Sequence, residues 1–456
     1  MNQNPDISPA GFSDVSFREA LKVWIKVALY SFGGPAGQIA VMHRFLVDEK
    51  KWIDENRFLH TLNYCMLLPG PEAQQLSIYL GWLMHGLKGG LVAGSLFVLP
   101  GFISILILSI LYAEFSDVTL VQAIFYGIKP AVMAIVVQAV FKIGSRALKN
   151  GVMVSLSVLS FIAIFFFDIA FPLIVLTAGL TGLAGGKIWE DKFYVIKGHT
   201  VRENGQSSPT GHTIRSSRPS FRRTLKTVTV WLLIWLVPLA VLFLVLGDQN
   251  VFVQEGVFFS KAAVVTFGGA YSVLAYIAQE AVQTHGWLMP GQMLDGLGMA
   301  ETTPGPLIQV VQFVGFMGAY QFPGALDPVV AGILASVLVT WMTFVPCFLF
   351  ILSGAPYIEY LRGNKSLTTA LSAITAAVVG VVLNLGVWFS IHTLFGEVRT
   401  FVGWGLNFDI PVWDTVDWWA LIIAVGAFVA LFRYKINMLT VLGASVALGI
   451  LVYFLT

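Results

Sequence analysis

Ser31-Phe32-Gly33-Gly34-Pro35 and Pro69-Gly70-Pro71 each interrupt an otherwise apolar run. Shifted by 235 positions, the first lands on Thr266-Phe267-Gly268-Gly269 and the second on Pro304-Gly305-Pro306. No gap is needed. From Lys26 to Gln74, 14 of 49 positions repeat identically, including Lys26 with Lys261, Trp52 with Trp287 and Gln74 with Gln309. Weaker echoes follow at Val98-Leu99-Pro100-Gly101-Phe102 against Phe344-Val345-Pro346-Cys347-Phe348. The chain reads as two related halves whose helices break at the same places.

Composition sets the solvent. Of 456 residues, 57% are apolar and 11% charged, with a mean hydropathy of +0.78. A soluble domain runs at about 45–50% and about 25%. A cytosolic enzyme, a disordered chain and a nucleic-acid-binding module are excluded, and an all-α polytopic membrane protein is indicated. Cys65 and Cys347 both sit in apolar runs, so no disulfide framework is expected. The seven histidines show no metal-ligand spacing, and no metal or cofactor is expected. No signal peptide is read.

Apolar runs fall at about 17–47, 57–86, 91–112, 120–141, 151–167, 171–188, 227–246, 256–282, 291–320, 327–353, 367–390, 418–432 and 437–455. The expectation is 13 transmembrane helices, with the four longest runs broken or re-entrant. Residues 187–226 carry nine Lys and Arg against three acids, which places them in the cytoplasm. Lys88, Lys142, Arg146, Lys149, Arg362, Lys365, Arg433 and Lys435 then fall on the same side. Glu114, Asp117, Asp168, Asp248, Glu255, Asp327, Glu397, Asp409, Asp414 and Asp417 fall outside, together with Lys50, Lys51, Arg57 and Arg399. The N-terminus is cytoplasmic. Residues 1–190 form the first repeat and 191–226 a basic cytoplasmic loop. Residues 227–246 form a linking helix and 247–456 the second repeat. One extra crossing between two six-span units inverts the second, the plan of secondary transporters that bind substrate at the midplane.

Backbone breaks survive in hydrocarbon only where protein or a water-filled cavity covers them. Each break exposes a helix N-terminus, a natural anion site. Candidate substrate groups are therefore Phe32, Gly33, Gly34, Pro69, Gly70, Pro71 and their equivalents Phe267, Gly268, Gly269, Pro304, Gly305, Pro306. Close packing at small residues is the alternative. Lys26 and Lys261 precede the Phe-Gly-Gly motifs and face substrate or snorkel. Lys129 lies mid-span, facing an anion pathway or forming an ion pair. Gln74 and Gln309 offer amide donors to an oxyanion or tie helices together. Glu72 and Glu301 are proton-coupling candidates, although Glu72 in a first turn also simply suits the dipole. Arg44 is expected near the outer interface, paired with Asp48, and Trp52 and Trp287 as interface anchors. No Walker A sequence or nucleophile triad is present. An intramembrane lipid-phosphate enzyme would want a clustered acid, base and nucleophile, and a mere scaffold leaves paired lysines unexplained.

These motifs resemble the chromate ion transporter family. Its N-terminal half is similar to Ser31–Pro35, to Leu68-Pro69-Gly70-Pro71-Glu72-Ala73-Gln74-Gln75, to Gly89-Gly90 and to Leu99–Phe102. Its C-terminal half is similar to Thr266–Gly269, Glu301–Pro306 and Gln312–Phe316. The resemblance spans nearly the whole chain outside 190–226. It implies a secondary transporter exporting chromate from a bacterial cytoplasm across the inner membrane, with sulfate as mimic; a negative cell interior drives a dianion outward, and proton exchange through Glu72 or Glu301 is a candidate second coupling. Carriage of sulfate or another inorganic anion is the alternative. A homodimer is compatible with this size.

Overall fold

A computed structural model describes residues 15–32, 34–194, 221–267, 269–357 and 365–455. Gly33, Gly268 and most of the basic loop lie outside these. Ser16 caps α1 (Phe17–Tyr30), its hydroxyl accepting from the Glu19 amide. The chain breaks at Ser31, restarts as α2 (Gly34–His43) and ends in a π-helical turn over Arg44–Glu49. There Lys50 Nζ stands 2.9 Å from the Glu19 carboxylate, so α2 returns to the end where α1 began. Next come α3 (Glu55–Cys65), capped by Asp54, and α4 (Glu72–Phe115). Helix α4 reverses at His85 and Gly86, where φ is +59° at the glycine. Its two arms pack antiparallel, so closely that a Cβ on Gly81 would collide with the Gly89 carbonyl. His85 Nε2 reaches the Val15 carbonyl at 2.9 Å. Residues 17–50 and 55–85 are thus two hairpins that start and finish at one end of the molecule.

The second arm of α4 runs the full depth, about 43 Å for its 29 residues at about 1.5 Å each. Then follow α5 (Thr119–Ala147), α6 (Gly151–Phe167), α7 (Phe171–Ile188) and the short α8 (Glu190–Phe193). Helix α9 (Phe221–Leu246) lies largely exposed, stacking Trp231 on Phe348 at 5.3 Å. The second half starts with α10 (Val251–Val265) and α11 (Ala270–Gln279), the latter again closing in a π turn, Glu280–Thr284. It continues with α12 (Pro290–Thr302), a 3-10 turn at Leu307–Gln309 and α13 (Val310–Gln321). These hairpins gather at the far end. Tyr320 Oη reaches Glu114 at 3.2 Å, and Gln279 bonds Asp168. The chain finishes with α14 (Pro328–Gly354), α15 (Lys365–Leu394), α16 (Trp418–Phe432) and α17 (Met438–Leu455).

Among the described residues, seven helices are long and apolar enough to cross a membrane: α4, α5, α7, α9, α14, α15 and α17. Helices α6 and α16 are apolar but shorter. Each of the four long broken runs folds back on itself as a helical hairpin, in keeping with the broken or re-entrant expectation, and among the described residues fewer helices of spanning length are present than the 13 expected. An apolar run long enough to span is also long enough to enter and leave as a hairpin, and hydropathy does not separate the two. Strands β1 (Val398–Gly403) and β2 (Leu406–Pro411) also depart from the all-helical expectation. They join through Trp404-Gly405, both at positive φ, a two-residue turn matching strand twist.

Arg44 does not pair with Asp48. In the π turn, residues five apart face each other, so Arg44 meets Glu49 at 2.8 Å and Asp48 meets His43 at 3.2 Å. Arg44 stands at the same end as Glu19, not the opposite one. Trp287 is no interface anchor either. It is 1% exposed and stacks on His285 at 4.3 Å.

Candidate functional site

The four hairpin tips meet at mid-depth and exchange hydrogen bonds across the halves. Gly70 N–H donates to the Thr266 carbonyl at 2.8 Å, and Gly305 N–H donates to the Ser31 carbonyl at 2.8 Å. Each Pro-Gly-Pro thereby closes on the Phe-Gly-Gly of the other half. Ser31 and Thr266 turn their hydroxyls back one turn, to Val27 and Ala262, both at 2.6 Å. Backbone opened by the breaks is satisfied inside protein, as hydrocarbon demands.

The glycines are there for space and for φ. Gly70 and Gly305 sit at +112° and +109°, where a side chain is strained. A Cβ on Gly305 falls 3.0 Å from the Gly101 Cα, and one on Gly70 falls 3.1 Å from Cys347 Sγ. Gly101 and Cys347 are the matching residues of the Pro-Gly-Phe and Pro-Cys-Phe motifs, so this contact is also exchanged between halves. Gln38 donates to the Gly305 carbonyl at 2.6 Å, and Gln75 to the Pro69 carbonyl at 2.5 Å.

Between the tips lies a cavity lined by Pro35, Gln38, Pro71, Glu72, Ala270, Pro306 and neighbours. These residues begin α2, α4, α11 and the turn leading into α13, so four helix N-termini converge on one point. At about 10 Å³ the cavity has room for one water molecule. Glu72 lies at two of those N-termini, since it opens α4 and its Oε1 stands 3.7 Å from a Cβ placed on Gly269.

Other expected groups separate. Pro69, Gly70, Pro71, Pro304, Gly305 and Pro306 are in the tips, and Gly34, Phe32, Phe267 and Gly269 flank them. Gln74 is fully buried beside the tip with both amide atoms unpaired. Gln309, also buried, donates to Gln312 Oε1 at 2.6 Å. Glu301 is buried against Tyr271, whose hydroxyl donates to it at 2.5 Å. Lys26 and Lys261 are on exposed faces of α1 and α10 and do not line the cavity. Lys129 is away from the tips, 3.5 Å from Asp295.

Three acids and amides escaped the sequence reading as site residues. Gln38 carries no repeat signature, because Val273 stands at the equivalent position. Asp295 looks like a polar residue on a weakly apolar helix. Glu255 was assigned to the outer surface, yet it is 0% exposed, its carboxylate unpaired beside Gly315 and Gly318.

The family model for chromate transporters matches residues 18–183 and 253–450. A chromate transport protein of Pseudomonas aeruginosa is 31% identical over 376 residues, covering 81% of this chain and 80% of its own. One from Cupriavidus metallidurans is 27% identical over 388 residues, covering 83% and 85%. An uncharacterised transporter of Methanocaldococcus jannaschii is 24% identical over 429 residues, covering 94% and 92%. No solved structure matches at a significant level. The matched segments contain both sets of hairpins and every tip, and the chain belongs to the chromate transporter family, whose named relatives are transport proteins and not enzymes.

Proposed function

We propose that this protein exports chromate, a sulfate-like oxyanion, across a bacterial plasma membrane. The observation that carries the reading is the convergence of four helix N-termini on one midplane point. Each end is worth about half a positive charge. Four therefore offer about two charges to a tetrahedral dianion without any fixed cation at the tips. The cavity in this state is too small for that ion, so transport requires the tips to part. Hydrogen bonds exchanged between halves make the opening a relative movement of one half against the other, as in other inverted-repeat carriers.

In this reading residues 1–190 and 247–456 are two inverted repeats joined by α9. Each contributes four crossings and α9 a ninth, with the N-terminus inside and the C-terminus outside. The hairpins of the first half enter from the cytoplasm and those of the second from outside. This moves Lys50, Lys51 and Arg57 to the cytoplasmic side, which strengthens the basic bias there. We expect Lys51→Cys to react with a membrane-impermeant maleimide only in inside-out vesicles. Labelling in intact cells would restore a full crossing between residues 17 and 47. Buried Cys65 and Cys347 provide little background.

A cell interior at −100 mV favours outward movement of a dianion by about 4.6 kcal/mol, twice the single-charge value. Voltage thus suffices as a driving force. Glu72, at the cavity, is positioned to accompany the anion with a proton. A carboxylate beside an incoming anion takes a proton up rather than releasing it, so the proton moves with chromate and not against it. Chromate flux in proteoliposomes, driven by voltage and inhibited by sulfate, is the direct test. Absence of voltage-driven flux from well-folded protein rejects the reading. With Lys26 and Lys261 on exposed faces of the helices that lead to the tips, Lys26→Ala and Lys261→Ala should each raise the half-saturating chromate concentration by less than about tenfold through lost steering. Their maximal rate should be retained, and a lost maximal rate would put either lysine in the site itself.

A further inference from the structure

A second cavity lies apart from the tips, near the end where α4 finishes. Its volume is about 290 Å³, and its lining includes Tyr112, Ser116, Gln122, Tyr126, Lys129 and Asp295. Three features suit it to an anion. The Lys129 ammonium is partly exposed to the cavity, at 30%. It rests against Gly291 in the first turn of α12, a Cβ there falling 3.2 Å from Nζ, so a cation and a helix N-terminus add at one place. Ser116 and the Gln122 amide add polar groups, whereas the hydroxyls of Tyr112, Tyr126 and Tyr453 already donate to Asp295, Asp417 and Gln122, and Val121 and Phe125 are apolar.

One feature opposes it. Asp295 is 3% exposed and stands 3.5 Å from Lys129. Tyr112 Oη donates to its Oδ2 at 2.8 Å, while Oδ1 accepts no hydrogen bond. Oδ1 is the oxygen that faces Lys129, so it is held by an ion pair stretched to 3.5 Å and by no hydrogen bond, a loose arrangement for so buried an acid. It is what a stand-in for a stronger ligand looks like. Asp295 is on a hairpin of the second half and Lys129 on a helix of the first, so this pair also bridges the two halves.

We propose that this cavity is a second oxyanion site, on the outward side of the tips, in which an oxyanion displaces Asp295 from Lys129. The choice of a tetrahedral oxyanion rests on the transport reading above. Anion arrival would break the Lys129–Asp295 bridge and free the α12 hairpin from α5, linking occupancy of the exit to movement at the tips.

The test is equilibrium binding of radiolabelled sulfate to detergent-purified full-length protein, read beside chromate flux in proteoliposomes. Asp295→Asn keeps an acceptor for Tyr112 and removes the competing charge. It should tighten sulfate binding about tenfold, the scale of one charge-assisted contact. Lys129→Gln alone strands a buried charge and is open to misfolding. The neutral pair Lys129→Gln/Asp295→Asn avoids that, and it should bind about tenfold more weakly than Asp295→Asn. Equal affinity in the parent, Asp295→Asn and the neutral pair overturns the proposal. If the parent transports chromate while these affinities stay equal, only this site falls. If the parent shows no flux but the affinities separate, the site stands as an anion site and the transport reading falls.

Discussion

Gly305→Ala should abolish chromate flux and destabilise the protein by about 4 kcal/mol. Two costs add. At φ +109° the backbone is in a region reserved for glycine, worth about 1–3 kcal/mol. The new Cβ would also fall 3.0 Å from the Cα and 3.2 Å from the amide nitrogen of Gly101. Both are backbone atoms of α4 and cannot turn aside, and overpacking of this kind costs about 1–3 kcal/mol. The same shift would stretch the Gly305 N–H bond to Ser31. Gly70→Ala should be milder, because its Cβ meets the side chains of Gln75 and Cys347, which can move. Gly426→Ala, in a helix with nothing within 4 Å, is the control and should change stability by less than about 1 kcal/mol. Denaturant or thermal unfolding in detergent, paired with flux, orders the three. A Gly305→Ala protein as stable and active as the control would mean the tips are not the packed junction described.

Glu72→Gln should change the charge carried per chromate. With the proton riding on Glu72, each dianion leaves with one net negative charge, and −100 mV supplies about 2.3 kcal/mol per cycle. With glutamine the proton is lost and two charges move, doubling that figure to about 4.6 kcal/mol. The reversal potential at fixed chromate gradient reports this directly, and acidification of the receiving side should vanish with it. Glu301→Gln should leave the ratio unchanged, because Glu301 is held by Tyr271 and does not line the cavity. An unchanged ratio in Glu72→Gln would assign the carboxylate to the helix dipole alone.

The repeat explains why so much was legible before any coordinates. Phe-Gly-Gly and Pro-Gly-Pro have no use in a lipid-facing helix, since each breaks backbone bonds that hydrocarbon cannot replace. Their recurrence at one spacing locates four breaks and, with the family match, the class of protein. The Trp404-Gly405 turn was legible in principle, lying between residues of high strand propensity, but it is short and sits in an aromatic-rich stretch between spans. Lys26 and Lys261 show the opposite case. Identity across the repeat marked them, yet repetition records a shared helix face and not which face points inward.

From sequence alone came the membrane solvent, the two halves, the broken helices and their glycines, because these follow from hydropathy and local backbone chemistry. Only tertiary structure decided that each broken run folds back as a hairpin. That depends on contacts such as Lys50 with Glu19 and His85 with Val15, made between segments distant in the chain. Tertiary structure also decided that the tips pair across halves, that Gln38 and Glu72 reach the junction, and that Asp295 holds Lys129. A carboxylate or amide acquires a role from what packs against it, and for Gln38, Glu72 and Asp295 those partners come from the other half of the chain.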